Sequence, residues 1–335
     1  MSARSVLITG VDDPLGRKLA ERMATRADLQ TVIGAADAAS AAIDGVEVMR
    51  LPGEYTELAH LLVSRAVDTI IHADRRWTHS GVGGDGHSQH VIATMQLAAA
   101  AAHDAATVRR VVMASSTSVY PASSRAPLLH PETEQLHAEE GTPAASVLEA
   151  EGFMRDLATT NPNLSVSILR LADLTGPDTT DPLGQLLSGR VVPAIWGFDP
   201  TVQLLHVDDA VAALEHAADH DLAGVYNVAS HRLIRWRRAA RLAGKPLLEL
   251  PLVPPRALTA MVQWAYQLNT GDDVLDVLRY GRRAATDAFH RSGFQPTWTA
   301  EHCVRRSRSA ASPSPRQGPA RPRPDRLARR HPIDG

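Results

Sequence analysis

Two stretches of the sequence place charged side chains where an apolar run gives way to a loop. Gly10-Val-Asp-Asp-Pro-Leu-Gly16 follows the apolar run Ser5–Thr9, and its Asp13-Pro14 pair is typical of a helix N-cap followed by proline at the first helical position. The backbone N–H groups at such a helix start can bind an anion. Arg170 ends the run 165–170, where a guanidinium is suited to bind a phosphate.

Histidines are the candidate metal ligands in this sequence. His79, His87 and His90 flank the glycine-rich loop 81–86, but their spacing matches none of the standard ligand patterns. The single cysteine, Cys303, also excludes a cysteine-based zinc site and a disulfide framework. We therefore predict no metal site.

The elements around these residues alternate between strands and helices. Runs typical of buried strands lie at 5–9, 31–35, 46–50, 68–73, 108–115 and 165–171, and long helical stretches at 87–103 and 144–160. This alternation predicts an α/β fold with a doubly wound parallel sheet over residues 1–175. The alternation loosens beyond Gly176, which predicts a smaller C-terminal lobe over residues 176–300, or else excursions from the first domain.

Charge is distributed unevenly along the chain. Its 35 Lys and Arg nearly balance 37 Asp and Glu, but residues 304–335 hold nine Arg and two Asp, a net charge of +7 that leaves −9 on the rest. Residues 301–335 are rich in arginine and proline, so we predict a disordered tail. The tail has no aromatic residue to stack on bases, so nucleic-acid binding is not expected.

Apolar segments are too short to cross or enter a membrane. The first apolar run spans four residues, too few for a signal peptide, and no stretch approaches the ~18 residues of a membrane span. We therefore expect a cytoplasmic protein without a membrane partner.

Seven short motifs occur in a fixed order along the chain. They are Val6–Gly10 with Gly16, Val67–Ala73, Val111–Tyr120, Ile168–Leu171 with Gly176-Pro177, Leu205–Asp209, Gly224–Val228 and Gly293–Trp298. Together they resemble the extended short-chain dehydrogenase/reductases, the NAD-dependent epimerase/dehydratase family. The resemblance implies a Rossmann domain that binds NAD and a C-terminal lobe that binds a substrate such as a nucleotide sugar. It also implies the cofactor-binding residues, which are Thr9, Gly10, Asp13, Leu15, Gly16, Asp37, His72 and Ala73.

The glycine loop departs from this family's Gly-x-x-Gly-x-x-Gly pattern. Gly10 and Gly16 hold the outer positions, whereas Asp13 stands at the middle one. A carboxylate there competes with the cofactor's diphosphate for the same N–H groups, and two like charges ~4 Å apart repel by ~4 kcal/mol at an effective dielectric constant of about 20. The loop is consistent with weakened dinucleotide binding or with a capped helix that binds no ligand.

An acidic residue after the second strand of such a domain binds the ribose hydroxyls of NAD. Asp37 follows the second predicted strand and has no arginine beside it to hold the extra phosphate of NADP. The sequence thus favours NAD and leaves NADP open.

The family's catalytic Tyr-x-x-x-Lys pair is absent. In the matching stretch, Pro143 stands for the tyrosine and Val147 for the lysine, and none of the five tyrosines has a lysine four residues on. The family's lysine lowers the pKa of the tyrosine, whose tyrosinate form is the general base. This chain therefore lacks the standard base.

Part of the family's catalytic and substrate machinery remains. The resemblance implies that Ser116, or Thr117 beside it, binds a substrate hydroxyl, although capping a turn is the alternative for Ser116. Tyr120 is a candidate substitute base. Arg170 and His206 are the candidate substrate contacts, although Asp208 or Asp209 could instead cap the helix that follows His206.

Two functions are consistent with these residues. The chain could be an oxidoreductase or epimerase acting on a nucleotide-sugar-like substrate with a non-standard base, or a catalytically inactive nucleotide-binding sensor or scaffold. Family dimers often pair the helices that correspond to 87–103 and 144–160 here, so the resemblance also implies a homodimer.

Overall fold

A computed structural model describes residues 4–36, 41–75, 85–103, 106–177, 181–251 and 273–310, apart from the side chains of 85–87 and 307–310. Asp37 and His79 therefore lie outside the described residues, as do the side chain of His87 and the predicted tail beyond residue 310.

Seven parallel strands form the central sheet. In order across the sheet they are β3 (Glu47–Arg50), β2 (Leu29–Ala36), β1 (Arg4–Thr9), β4 (Val67–His72), β5 (Arg110–Ser116), β6 (Ser165–Leu171) and β11 (Gly224–Val228). The strand order reverses between β1 and β4, and ligands of doubly wound sheets bind at the carboxyl ends of the strands at that switch point. The predicted α/β fold is confirmed.

Helices cover both faces of this sheet. One face carries α1 (Pro14–Met23) and α6 (Val207–Asp219), and the other carries α2 (Tyr55–Ser64), α3 (Asp85–Ala101) and α4 (Pro143–Thr160). Successive side chains of a strand point to opposite faces. Val6 and Ile8 of β1 therefore pack in the core between the sheet and α1 and α6, while Leu7 packs in the core on the opposite face.

A smaller lobe follows the sheet. Its strands are β7 (Asp173–Thr175), β8 (Val192–Ile195), β9 (Thr201–Val202), β10 (Leu204–His206), β12 (Ile234–Arg235) and β13 (Leu247–Leu250). Its helices are α5 (Pro182–Ser188), α7 (Trp236–Leu242), α8 (Asp273–Tyr280) and α10 (Ala300–Ala310), whereas the short helix α9 (Asp287–Arg291) packs its Phe289 into the core of the central sheet. Buried Trp236 lies in the lobe's apolar core, and its indole N–H donates to the Pro193 carbonyl at 2.7 Å.

Three described elements bear on the predicted domain boundaries, which remain predictions. Helix α6 and strand β11 complete the central sheet, although both fall within the range assigned to the C-terminal lobe. Residues 301–310 belong to helix α10, although we predicted disorder from residue 301. Cys303 and Val304 are buried in the core of the lobe, while Arg305 and Arg306 are exposed. The arginine-rich composition of this segment predicted disorder, whereas the segment begins with a helix that has one apolar side.

No helix among the described residues is both long and apolar enough to cross a membrane.

The two outer glycines bring the start of α1 against the ends of β1 and β4. Gly10 has φ +77°, and a Cβ atom there would lie 2.6 Å from the Cα of Asp74. A Cβ atom on Gly16 would lie 2.2 Å from the carbonyl oxygen of Gly10. Both contacts are to backbone atoms, so no side-chain rotation can relieve them.

A buried hydrogen-bond chain links β1, β4 and α3. The hydroxyl of Thr94 donates to the His90 carbonyl at 2.8 Å, so its oxygen accepts from Nε2 of His72 at 2.9 Å. Nδ1 of His72 is then the acceptor for the hydroxyl of Thr9 at 2.7 Å. Burial lowers the pKa of His72 to about 4, with a smaller contribution from His90, while Asp74 opposes the shift. His72 is therefore a neutral residue of the interior at neutral pH.

We predict that Gly16→Ala lowers the free energy of unfolding by about 3 kcal/mol, because the added methyl group overlaps the Gly10 carbonyl. Gly53→Ala is the matched control, because a Cβ atom there meets nothing within 4 Å. Urea denaturation of both variants checks this. Equal stabilities would mean that α1 does not approach the loop this closely.

We predict that His72 makes folding sensitive to acid. A histidine whose pKa is lowered from 6.5 to about 4 on folding contributes stability above pH 6.5 that is lost as the pH falls toward 4. Between pH 7.5 and 4.5 the wild-type chain should lose about 2 kcal/mol more than His72→Gln, as measured by urea denaturation at each pH. Parallel pH profiles would contradict the assignment.

Candidate functional site

Most of the predicted cofactor residues come together at the carboxyl ends of β1 and β4. Thr9, Gly10, Leu15, Gly16, His72 and Ala73 are all buried there. The hydroxyl of Thr9 and the ring of His72 bind each other, and Leu15 belongs to the apolar core. These residues shape the loop, and Asp13 is the member of the set that brings charge to it.

Asp13 caps helix α1. Its backbone is extended, with φ −88° and ψ 145°, and its Oδ1 accepts from the N–H of Leu15 at 2.9 Å. The predicted N-cap is thus present, followed by Pro14 in the first helical turn. The carboxylate of Asp13 thus already uses one of the N–H groups of the helix start.

Two charged residues that sequence reasoning missed lie at the same edge of the sheet. Arg75 lies three residues after the end of β4 and is buried, and its Nη2 lies 2.8 Å from Oδ1 and 2.9 Å from Oδ2 of Asp181. Asp181 precedes α5 in the smaller lobe and also accepts from the N–H of Leu174 at 2.6 Å. The signal in the sequence was the pair Asp74-Arg75, because charged residues directly after a buried strand require partners.

The charges around Arg75 support one another. Burial acts to lower the pKa of the Arg75 guanidinium, but Asp181, Asp13 and Asp173 outweigh it and hold that pKa above its ordinary value. Burial and the neighbouring charge of Asp181 raise the pKa of Asp173 to about 6, against the opposing effect of Arg282. Carboxylates therefore dominate this part of the edge, and Arg75 lies among them.

Ser116 and Thr117 lie at the carboxyl end of β5, where the sequence placed them. The hydroxyl oxygen of Ser116 accepts from the N–H of Ser118 at 3.0 Å, which caps a 3-10 turn over 117–119. The alternative of turn capping is therefore present in the structure. Thr117 is buried.

Tyr120 is buried and tied to its neighbours. Its hydroxyl donates to Oδ1 of Asn227 at 2.9 Å and accepts from Nη1 of Arg170 at 2.8 Å. Arg170 is thus a cationic partner of Tyr120 that the sequence alone does not reveal. Burial nonetheless raises the pKa of Tyr120 against the opposing effects of Arg170 and Asn227. This environment favours a neutral phenol over a base.

Arg170 forms an interior ion pair with Glu151. Nε and Nη2 of Arg170 donate to Oε1 and Oε2 of Glu151 at 3.0 and 2.7 Å, and both residues are buried. The hydroxyl of Ser115 also donates to Oε1 of Glu151, at 2.5 Å. A phosphate contact by Arg170 stays a prediction, and it would require Arg170 to leave a buried carboxylate.

The positions of the missing catalytic pair have structural uses. Pro143 begins α4, and Thr142 caps that helix by accepting from the N–H of Ala145 at 3.3 Å. Val147 is fully buried and packs with Val119, Tyr120 and Ala284. An apolar cluster thus occupies the place where the family's lysine would act.

His206 is itself the N-cap of α6, which corrects the assignment of that cap to Asp208 or Asp209. Its Nδ1 accepts from the N–H of Asp208 at 3.2 Å, and the ring is buried. Asp209 has another task, because its carboxylate accepts from the N–H groups of Thr297 and Trp298, both at 2.9 Å. A direct substrate contact by His206 remains a prediction.

Three buried residues bring metal-ligand atoms together among the described residues. Atoms of His72, Asp74 and His90 lie within 4.8 Å of one another. Both ring nitrogens of His72 are already hydrogen-bonded, and the rings of His72 and His90 are parallel within 4°, with centroids 5.7 Å apart. Lone pairs that lie in two parallel ring planes do not converge on one ion, so this group does not fit a metal.

Comparison with known proteins extends the likeness over most of the chain. The model of the NAD-dependent epimerase/dehydratase family matches residues 6–229. The uncharacterized protein Rv0501 of Mycobacterium tuberculosis is 32% identical over 305 residues, which cover 88% of this chain and 80% of that protein.

Solved structures show the same fold. The dTDP-glucose 4,6-dehydratase of Bacillus anthracis in complex with NAD is 15% identical, with a TM-score of 0.69 over 92% of this chain and 96% of that chain. The UDP-glucose 4-epimerase of Thermotoga maritima with UDP-glucose is also 15% identical, with a TM-score of 0.68 over 91% and 98%. The family match and the shared fold agree with the seven motifs and the sheet order, and the chain belongs to the NAD-dependent epimerase/dehydratase family.

Proposed function

We propose that this chain binds NAD at the carboxyl edge of its sheet and serves as a nucleotide-binding sensor or scaffold in the cytoplasm. The observation that carries this proposal is the absence of the family's catalytic pair, because Val147 lies in an apolar cluster at the position where the family has lysine. Family membership supports the binding half of the proposal, and Gly10 and Gly16 keep the outer glycine positions of the family's loop.

Tyr120 is a poor substitute for the missing base. A general base must be able to lose its proton near neutral pH. Burial raises the pKa of Tyr120, and its hydroxyl is committed to Asn227 and Arg170. The charge of Arg170 is in turn balanced by Glu151. Tyr120 therefore stabilises the packing of β5, β6 and β11.

Catalysis on a nucleotide sugar is the second candidate. The likeness to a dTDP-glucose dehydratase and to a UDP-glucose epimerase favours a nucleotide-linked ligand. Ser116 also keeps the place of the residue that binds a substrate hydroxyl in the family. An oxidoreductase or epimerase built on this site would need a base other than a tyrosine–lysine pair.

The proposal is tested by thermal unfolding of the full chain with NAD+, NADH, NADP+ and UDP-glucose at millimolar concentration. We expect NAD+ to raise the melting temperature, with no change in NADH absorbance when nucleotide sugars are added. The absence of a shift with every dinucleotide would contradict the proposal. Turnover of a nucleotide sugar would favour the catalytic candidate function over the sensor or scaffold. If the Tyr120→Phe variant kept that turnover, Tyr120 would not be the base.

We also propose a homodimer through α3 and α4. The two helices pack against each other, and α3 exposes two large apolar side chains one turn apart, Ile92 at 49% and Met95 at 42%. Residues three apart share one face of a helix, so this pair forms an apolar strip suited to a second copy of α3.

We predict that the variant Ile92→Glu/Met95→Glu is monomeric, because four carboxylates would meet across the proposed interface. Val63→Glu is the matched control, since Val63 is a 39% exposed apolar residue of α2. Light scattering of the wild-type chain and both variants checks this. A monomeric wild-type chain, or a dimer that survives the double substitution, would contradict the proposal.

A further inference from the structure

Arg283 lies where the smaller lobe meets the loop that follows β5. It belongs to the segment 281–286 between α8 and α9, and its carbonyl accepts from the N–H of His130 at 2.8 Å. Its side chain is bound to the lobe, where Nη1 donates to the hydroxyl oxygen of Thr201 in β9 at 3.1 Å. A Cβ atom on Gly281 would lie 2.1 Å from the Thr201 carbonyl oxygen, so the segment packs closely against β9.

The charge of Arg283 is balanced differently from that of the other interior arginines. Within the described residues, every other arginine that is not exposed has a carboxylate oxygen within 4.0 Å. The neighbouring Arg282 is an example, because it pairs with Asp273 and donates to the Tyr120 carbonyl at 2.9 Å. Within the same part of the chain Arg283 has no such carboxylate, and its side chain binds the neutral hydroxyl of Thr201.

Arg283 and Thr201 retain unused hydrogen-bond donors. The Nε of Arg283 is buried and has no acceptor among the described residues. The hydroxyl of Thr201 accepts from Arg283, which leaves its hydrogen available to donate. Withdrawing a guanidinium from water without a counter-charge is unfavourable, and its planar fork of donors is suited to the oxygens of a phosphate. The pair therefore has the charge and the donors of an oxyanion site.

A second guanidinium lies on the same face as Thr201. Arg235 of β12 is the antiparallel partner of Thr201, and directly opposite residues of such a pair share one face of the sheet. The side chain of Arg235 is 67% exposed, and its Nη1 lies 3.8 Å from Oδ2 of Asp199. Of the described carboxylates, Asp199 is the one within 4.0 Å of these two guanidiniums. Two positive charges thus meet one negative charge around Thr201.

We propose that Arg283, Thr201 and Arg235 form an oxyanion site that binds a phosphate group of a small ligand. Arg283 supplies the fork of interior donors, Thr201 supplies a hydroxyl, and Arg235 adds positive charge on the solvent side. The site belongs to the lobe and its boundary, whereas the glycine loop lies at the carboxyl ends of β1 and β4. The inference therefore goes beyond the proposed NAD binding and does not depend on it.

The first test removes the guanidinium of Arg283. Arg283→Met keeps the aliphatic volume, and Arg241→Met, at an exposed position of α7, is the matched control. Binding of inorganic pyrophosphate to the full chain is measured by calorimetry at constant ionic strength. We expect affinity to fall about tenfold or more in Arg283→Met and less than about twofold in Arg241→Met. Equal affinities of Arg283→Met and the wild-type chain, or no binding to the wild-type chain at millimolar concentration, would overturn the inference.

The second test changes the hydroxyl of Thr201 and so does not depend on the folding of Arg283→Met. Thr201→Val removes the hydroxyl at nearly constant volume, whereas Thr201→Ser keeps it. We expect pyrophosphate binding to weaken about threefold to tenfold in Thr201→Val and less than about twofold in Thr201→Ser. Equal affinities of the two variants would show that no phosphate binds at Thr201.

The third test compares pyrophosphate with malonate, because a carboxylate is the other oxyanion that a guanidinium binds well. A terminal phosphate offers three oxygens to the three donor groups of the site, whereas each carboxylate offers two. We therefore expect pyrophosphate to bind the wild-type chain more tightly than malonate does. Binding of malonate without binding of pyrophosphate would overturn the assignment to phosphate.

This inference and the proposed function fail in distinguishable ways. Absence of NAD+ binding to the wild-type chain contradicts the proposed function and leaves the oxyanion site intact. Pyrophosphate bound at the glycine loop would keep its affinity in Arg283→Met and Thr201→Val, which contradicts this inference alone. If NAD+ and pyrophosphate both lost affinity in Arg283→Met, the separation of the two sites would be wrong.

Discussion

The ion pair between Glu151 and Arg170 is the interaction on which the half of the central sheet formed by β5, β6 and β11 depends. Removing one partner of a buried ion pair typically costs about 3–5 kcal/mol, although Glu151 would keep a second partner in Arg155 of the same helix. Glu151 belongs to α4 and Arg170 to β6, and the pair also reaches Ser115 of β5. Arg170 then fixes Tyr120, which fixes Asn227 of β11. One charge pair thereby sets the positions of four elements of the fold.

This arrangement explains why the missing catalytic pair leaves no gap. Val147 lies one turn before Glu151 on α4, so the helix that would present a catalytic lysine instead presents an apolar side chain to Tyr120. The buried polar side chains from Glu151 to Asn227 are hydrogen-bonded to one another.

The sequence predicted those parts of the fold that depend on residues close to one another in the chain. The strands were visible because strands buried on both faces are continuously apolar, and the cap at Asp13 was visible because capping involves neighbours in sequence. The partners of Arg75 and Tyr120 were not visible, because Arg75 binds a residue 106 positions away and Tyr120 one 50 positions away. Helix α10 was missed because it runs into an arginine- and proline-rich segment, while its fold depends on the burial of Cys303 and Val304.

The return of β11 and α6 to the sheet has a consequence for how the chain folds. During synthesis, residues 4–175 can form six strands, but β6 then keeps an unpaired edge until β11 at 224–228 has emerged. One face of the sheet also lacks α6, whose Val211 and Leu214 belong to its core. Pairing of distant segments is slow, and uncovered strand edges invite aggregation. The two parts of this chain therefore constitute one cooperative folding unit, and a fragment that ends at residue 175 would carry an exposed apolar face.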